Sequence, residues 1–274
     1  MMEVWAGVLL LYGAPRGFAM NSAARGLNGI LPLDMAPQSV DDMYKGCDNS
    51  KQMKEYLQSE KNNNKIFKNA WDIAEKECKK KWEDKKKRWR PNALPKEQAI
   101  AIYIYTQDKP EIYPAFNEAV QTQKSEYQTT FRYHALHFYL TMALQALKNR
   151  NTQQGCITGY RRVNRYFSQD VDVINKEIRF GSFTSSSLDK WPKPEKFGDK
   201  SCFKIESCFG ANISLYSKYG ESEEELLIPP YEVFKVTRIQ KRSENNNLPC
   251  EVVYEVKSTG TLSNLNCSLV QNKK

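Results

Sequence analysis

The chain has 274 residues and a formal net charge of +9, from 41 lysines and arginines against 32 aspartates and glutamates. That length gives one large domain or two small ones with a sizeable core, and the charge is compatible with anionic partners such as nucleotides or a cell surface without specifying one. Two histidines and seven cysteines, none in a Cys-x-x-Cys pair, argue against a zinc or redox motif; dispersed cysteines fit an oxidised, secreted protein.

At the N-terminus, residues 4–12 form an apolar run too short to span a bilayer. It reads as the core of a signal peptide, with Ala19 or Ser22-Ala23-Ala24 as cleavage candidates, so residues 1–24 are assigned to a signal peptide. Helical periodicity dominates residues 40–150. Residues 64–90 make one long helix or two, and Phe67, Trp71, Ala74, Cys78 and Trp82 mark the buried side. Lys76, Lys79, Lys80, Lys81, Lys85, Lys86, Lys87, Arg88 and Arg90 then read as a solvated face rather than a nucleic-acid patch. Pro95 opens a helix running to Tyr105. Residues 112–120 form a short helix or turn, and residues 127–148 a long buried helix in which His134 and His137 are packing residues.

After Gly155 the pattern changes to short strands, at 156–163, 178–185, 202–209, 213–216, 224–228, 231–240 and 251–257. Helices followed by strands imply an α+β fold. The segments 191–200 and 243–248 read as loops. The last residues, 269–274, are polar and lack the apolar tail of a lipid-anchor signal.

Three elements of the strand half carry chemistry. Glu223-Glu224-Glu225 runs directly into the apolar Leu226-Leu227-Ile228. Alternate residues of an extended segment share a face, so Glu223 and Glu225 can act together while Glu224 turns aside. Two carboxylates on one face suit stabilisation of a cationic transition state and removal of a proton from a nucleophile. Upstream lie Arg161 within Tyr160-Arg161-Arg162-Val163, able to bind a phosphate, and Ser185 within the block Phe183-Thr184-Ser185-Ser186-Ser187. Taken singly, each has an ordinary explanation: a surface arginine, a serine-rich loop, an acidic loop. Their order along the chain is far more specific.

That order resembles the arginine-specific mono-ADP-ribosyltransferases of the vertebrate extracellular family. The resemblance runs through Leu33-Asp34-Met35-Ala36-Pro37, Asp41-Asp42-Met43-Tyr44-Lys45-Gly46-Cys47, His137-Phe138-Tyr139-Leu140-Thr141 and Ile228-Pro229-Pro230-Tyr231-Glu232-Val233-Phe234, covering about 33 to 267. It implies a single domain over residues 33–270, with a helical part (33–150) packed on a β-sandwich core (151–270). It implies transfer of ADP-ribose from NAD, or NADP, to arginine side chains of target proteins. NAD is then a co-substrate, with no permanently bound cofactor or metal. By the same likeness Arg161 braces NAD, Ser185 positions NAD and the catalytic glutamate, Glu225 is that glutamate, Glu223 confers arginine as acceptor, and Tyr219 can touch the target. Disulfides Cys47–Cys267 and Cys156–Cys208 follow from the resemblance. Pairing Cys202 with Cys250 is a separate assignment that leaves Cys78 free. The protein is read as a secreted monomer without a transmembrane span or nucleic-acid partner.

One departure stands out: the family's usual glycine after the signature arginine is here Arg162. A bulky cation there is expected to narrow the pocket or add a phosphate contact. Two alternatives stay open: a secreted NAD glycohydrolase, and a binding protein of the same fold that has lost catalysis. The sequons Asn212-Ile213-Ser214 and Asn266-Cys267-Ser268 both lie near expected core or bridge positions, which argues against glycans.

Overall fold

The computed structural model describes residues 29–47, 49–83, 93–150, 155–189, 191–220 and 224–269. The expected signal peptide, most of the basic run and Glu223 lie outside the described residues. A short strand β1 (Ile30–Leu31) leads to helices α1 (Ser50–Asn63), α2 (Lys65–Glu83), α3 (Lys96–Thr106), α4 (Tyr113–Thr122) and α5 (His134–Arg150). Strands β2 (Ile157–Val163), β3 (Tyr166–Phe167), β4 (Glu177–Ile178) and β5 (Thr184–Ser187) follow. A one-turn helix α6 (Pro194–Phe197) precedes β6 (Ser201–Ser207), β7 (Ala211–Asn212), β8 (Glu225–Ile228), β9 (Glu232–Lys241) and β10 (Val252–Thr261).

The helical half forms because its apolar residues recur at helical spacing. On α2, Phe67, Ala70, Trp71, Ala74 and Cys78 are all buried, while Lys76, Lys79 and Lys80 face solvent. Asn64 separates α1 from α2, and its Oδ1 accepts the Ile66 and Phe67 N–H groups, capping the second helix. Helix α5 starts at His134 rather than Tyr127, because Glu126 O gathers the N–H groups of Thr129, Thr130 and Phe131 into a turn first. Both histidines are packing residues. His137 Nε2 donates to Val40 O (3.0 Å), so its Nδ1 accepts from the Tyr44 hydroxyl (2.8 Å). Burial pushes the His137 pKa down to about 4 and keeps the ring neutral.

Eight strands form one mixed sheet in the order β4-β9-β10-β6-β2-β5-β8-β7. Only β10 with β6 is parallel among these pairs. Residues from distant strands meet in one apolar cluster, with Ile178, Phe234 and Val236 joining Leu226 and Ile228. Helices together with this mixed sheet make up the α+β fold expected from the sequence. A second cluster unites the helices with Phe183, Ala211, Ile213 and Leu227, so helical and strand halves share a core.

Two expected strands change. The segment 178–185 breaks at Gly181, which has φ 73°; a Cβ there would sit 2.5 Å from Ala36 Cβ. The chain turns, and its two ends become β4 and β5, far apart in the sheet order. The segment 213–216 is a turn closed by Tyr216 N–H to Ile213 O. Its apolar residues Ile213 and Tyr216 both dip into the helical core.

All three disulfides form: Cys47–Cys267, Cys156–Cys208 and Cys202–Cys250. Cys78 is the free, buried thiol. Beside the first of these bridges lies the most deeply buried ion pair among the described residues. Arg179 Nη1 bonds Asp41 Oδ2 at 2.6 Å, with neither side chain more than 1% exposed. Removing one partner of such a pair strands the other charge without water. Asp41→Asn is expected to lower unfolding free energy by about 3–5 kcal/mol, measured as a fall in urea midpoint at unchanged slope.

Candidate active site

The sheet order places β2, β5 and β8 side by side, so the three strands carrying Arg161, Ser185 and Glu225 are neighbours. Tyr160 pairs with Ser187, and Ser187 with Glu225, across the three strands. Ser185 lies two residues from Ser187 on β5, opposite Leu227. Arg161 Nη1 donates to the Ser185 carbonyl at 2.6 Å. Burial brings the Arg161 pKa down to about 10, while Tyr105, Tyr113 and Glu225 act to hold its charge. The guanidinium is therefore still cationic at neutral pH, in surroundings that screen it poorly.

Glu225 is half-buried, and its backbone is gripped on both sides. Its N–H donates to Ser214 Oγ (3.0 Å), and its carbonyl accepts the Ile213 N–H (3.0 Å). The neighbouring Glu224 is exposed, and its carbonyl accepts the Leu188 N–H. Glu224 thus precedes the strand and is the more exposed of the two. Leu226, Leu227 and Ile228 are fully buried and anchor the strand beneath them.

Residues given no role from sequence complete the site. The Tyr105 hydroxyl of α3 donates to Phe183 O (2.9 Å) and accepts from Asn117 Nδ2 (3.0 Å). Asn117 also reaches Phe183 O (3.1 Å), so two helices fix the start of β5. Burial raises the Tyr105 pKa far from any working pH, with Asn117 and Ser185 opposing the rise. Burial likewise pushes Tyr113 up to about 12, with Glu111 adding to the rise and Arg161 opposing it. Sequence patterning marks Tyr105 only as a core position; its hydroxyl has no signature in the spacing. The same is true of Glu232, which is buried and accepts from Ser207 Oγ, Cys208 N and Phe209 N, holding the turn that leads to β7.

Tyr219 is half-buried in the turn 213–220, with Lys218 Nζ 5.3 Å from its ring centre. That turn is tied to the helices through Lys218 N to Thr106 Oγ1 (2.9 Å) and Lys81 Nζ to Ser217 O (3.1 Å). It therefore borders the site that holds Tyr113 and Arg161.

Arg162 departs from expectation. Its Nε donates to Pro192 O (2.5 Å) and its Nη1 to Pro249 O (2.6 Å), against the small cluster of Cys202, Cys250 and Val253. The charges acting on it are Asp199, Arg242 and Glu195, none of them at the Arg161 site. It braces two loops, so the expected narrowing of the pocket and the expected phosphate contact are both replaced by a structural role. Among the described residues no cluster of three or more histidine, cysteine, aspartate or glutamate side chains is placed to hold a metal. Two surface cavities lie away from these strands, one of them lined by Tyr166, Arg242 and Glu251.

The chain is similar to known proteins over most of its length. Human ecto-ADP-ribosyltransferase 5 is 33% identical over 258 residues, covering 89% of this chain and 83% of the human protein. The erythroblast NAD(P)(+)–arginine ADP-ribosyltransferase of chicken is 34% identical, covering 92% of this chain and 82% of its own length. Among solved structures, a glutamate-to-alanine mutant of the eukaryotic mono-ADP-ribosyltransferase ART2.2 in complex with NADH matches with a TM-score of 0.69. It is 32% identical, and the match covers 86% of this chain and 98% of that one. The family model for NAD:arginine ADP-ribosyltransferases matches residues 33–255, and the chain belongs to that family.

Proposed function

We propose that this protein transfers ADP-ribose from NAD, or NADP, to arginine side chains of target proteins and releases nicotinamide. The observation that carries the reading is the convergence of Arg161, Ser185 and Glu225 on three adjacent strands, with Arg161 bonded to the Ser185 carbonyl. The family relationship and the ART2.2 complexes with NADH and NAD support it. The catalytic unit is one domain over residues 33–270 acting as a monomer. It works outside the cell: three disulfides and the ecto-enzyme relatives favour that compartment. Release as a secreted protein, with residues 1–24 as signal peptide, is the form proposed.

The chemistry follows from the residue types. Arg161 pairs with the NAD pyrophosphate or nicotinamide ribose, where a partly desolvated guanidinium binds an anion well. As the bond from ribose C1′ to the nicotinamide nitrogen breaks, its electron pair leaves with nicotinamide and positive charge builds on the ribose ring. The Glu225 carboxylate stabilises that charge more in the transition state than in the ground state. Its backbone clamp fixes the strand from which it acts, and Ser185 positions both NAD and Glu225. A guanidine nitrogen of the acceptor then bonds to C1′. Glu223 orients the acceptor and takes up its proton, while Tyr219 contacts the target.

Glu225→Gln is expected to cut transfer by at least about a thousandfold while leaving the urea midpoint unchanged; full activity in this variant refutes the assignment. Glu223→Gln is expected to lose arginine modification but retain NAD hydrolysis, measured as nicotinamide release with and without an arginine acceptor. Equal loss of both activities overturns the acceptor role. Arg162→Gly, which restores the family's glycine, is expected to lower stability by about 2–3 kcal/mol through lost charged hydrogen bonds. The KM for NAD in that variant stays unchanged, and a marked change places Arg162 in the NAD site after all.

A further inference from the structure

The chain carries two Asn-x-Ser sequons, and the fold treats them very differently. A glycan attaches through the side-chain nitrogen, so the carboxamide must reach solvent and room must remain around it once the chain has folded. Asn266 is half-buried, and both ends of its amide are used on one residue. Its Nδ2 donates to Lys45 O (3.0 Å) and its Oδ1 accepts the Lys45 N–H (2.8 Å). The next residue, Cys267, is bridged to Cys47. A sugar on Asn266 would have to fit into this closed contact.

Asn212 is exposed, at the end of β7, the terminal strand of the sheet. Its Oδ1 accepts the Ser214 N–H (2.9 Å), and its Nδ2 has no hydrogen-bond partner among the described residues. Register settles the direction of departure. Ala211 pairs with Leu227 and Asn212 with Leu226. Glu225 and Leu227 are two apart on β8 and share a face. Asn212 therefore lies on the face opposite the Glu225 side chain, and a glycan there leaves away from the acceptor.

We infer that Asn212 carries an N-linked glycan and that Asn266 does not. The inference rests on the extracellular reading above. In the step, Asn212 Nδ2 bonds to C1 of the first sugar of a lipid-diphosphate-linked oligosaccharide. The bond from C1 to the lipid diphosphate breaks, and one Nδ2 proton is lost. Ser214 fixes the timing. The residue is 5% exposed and its Oγ accepts the Glu225 N–H, so its hydroxyl is inaccessible once the protein has folded. Modification therefore precedes folding, on the nascent chain. The finished glycan covers an edge strand whose unpaired backbone groups would otherwise invite pairing with another chain.

The test is secretion of the full chain from a eukaryotic cell line, once with its own residues 1–24 and once with a foreign leader in their place. Removal of glycans by peptide N-glycosidase in heavy-oxygen water, with peptide mapping, marks each occupied asparagine as labelled aspartate. The expected result is label at Asn212, none at Asn266, and a gel shift of one glycan. Asn212→Gln loses that shift, whereas Asn266→Gln and Ser214→Thr keep it. Secreted, disulfide-bonded protein with unlabelled Asn212, from either leader, overturns the inference, as does label at Asn266. If only the foreign leader delivers the glycosylated protein, the site assignment stands and the signal-peptide reading fails.

Discussion

The buried pair of Arg179 and Asp41 is the constraint on which the site depends. A charge removed from water is tolerated only with a partner and with its remaining hydrogen bonds satisfied. Arg179 meets that demand by drawing three segments together. Its Nε donates to Met35 O, its Nη2 to Ala36 O and its Nη1 to Leu262 O as well as to Asp41. Asp41 in turn accepts from Asn264 N, Asn264 Nδ2 and Leu265 N. Asp42 repeats the pattern one residue later, accepting from Tyr44 N, Cys267 N and the Tyr127 hydroxyl. Burial raises the Asp42 pKa to about 6 despite those hydrogen bonds. Two adjacent aspartates thus bind the start of the described chain to its end, beside the Cys47–Cys267 bridge.

The consequence for the site runs through Gly181. Arg179 directly follows β4, and Ser39 Oγ donates to Gly181 O at 2.8 Å, so the segment after Pro37 also fixes the turn into β5. From the other side, Tyr105 and Asn117 hold Phe183 O. Ser185 stands two residues beyond that grip. Its carbonyl can then serve as a fixed acceptor for Arg161, and its position does not depend on a bound ligand. The site is preorganised by backbone contacts, which suits a reaction whose barrier is lowered by groups already in place.

Much of this was legible from sequence because it is periodic or local. Helical spacing marked α2, and Pro95 marked the start of α3. Family resemblance placed the first two disulfides, Cys202 with Cys250 needed a separate assignment, and all three form. What escaped was non-local or depended on a single atom. Gly181 interrupts an apparently continuous strand because its backbone passes too close to Ala36 for a side chain, and no pattern in 178–185 announces that contact. Ile213 and Tyr216 imitate strand residues because a turn also brings positions three apart into one core. Tyr105 and Glu232 look like a core aromatic and a strand carboxylate until their partners, 78 and 25 residues away, are known.

Arg162 shows why a departure from a family pattern needs its own physical account. On an extended strand the side chain after a site residue leaves on the opposite side. A glycine there matters to the pocket only if the backbone itself must come close to something. Here the added guanidinium finds two carbonyls, on loops on either side of the Cys202–Cys250 bridge cluster, and binds them together. The substitution therefore exchanges freedom of the chain for bracing of those loops while Arg161 keeps its own contact with Ser185. A loss of catalysis cannot be argued from the identity of residue 162 alone, because its charge is spent outside the site.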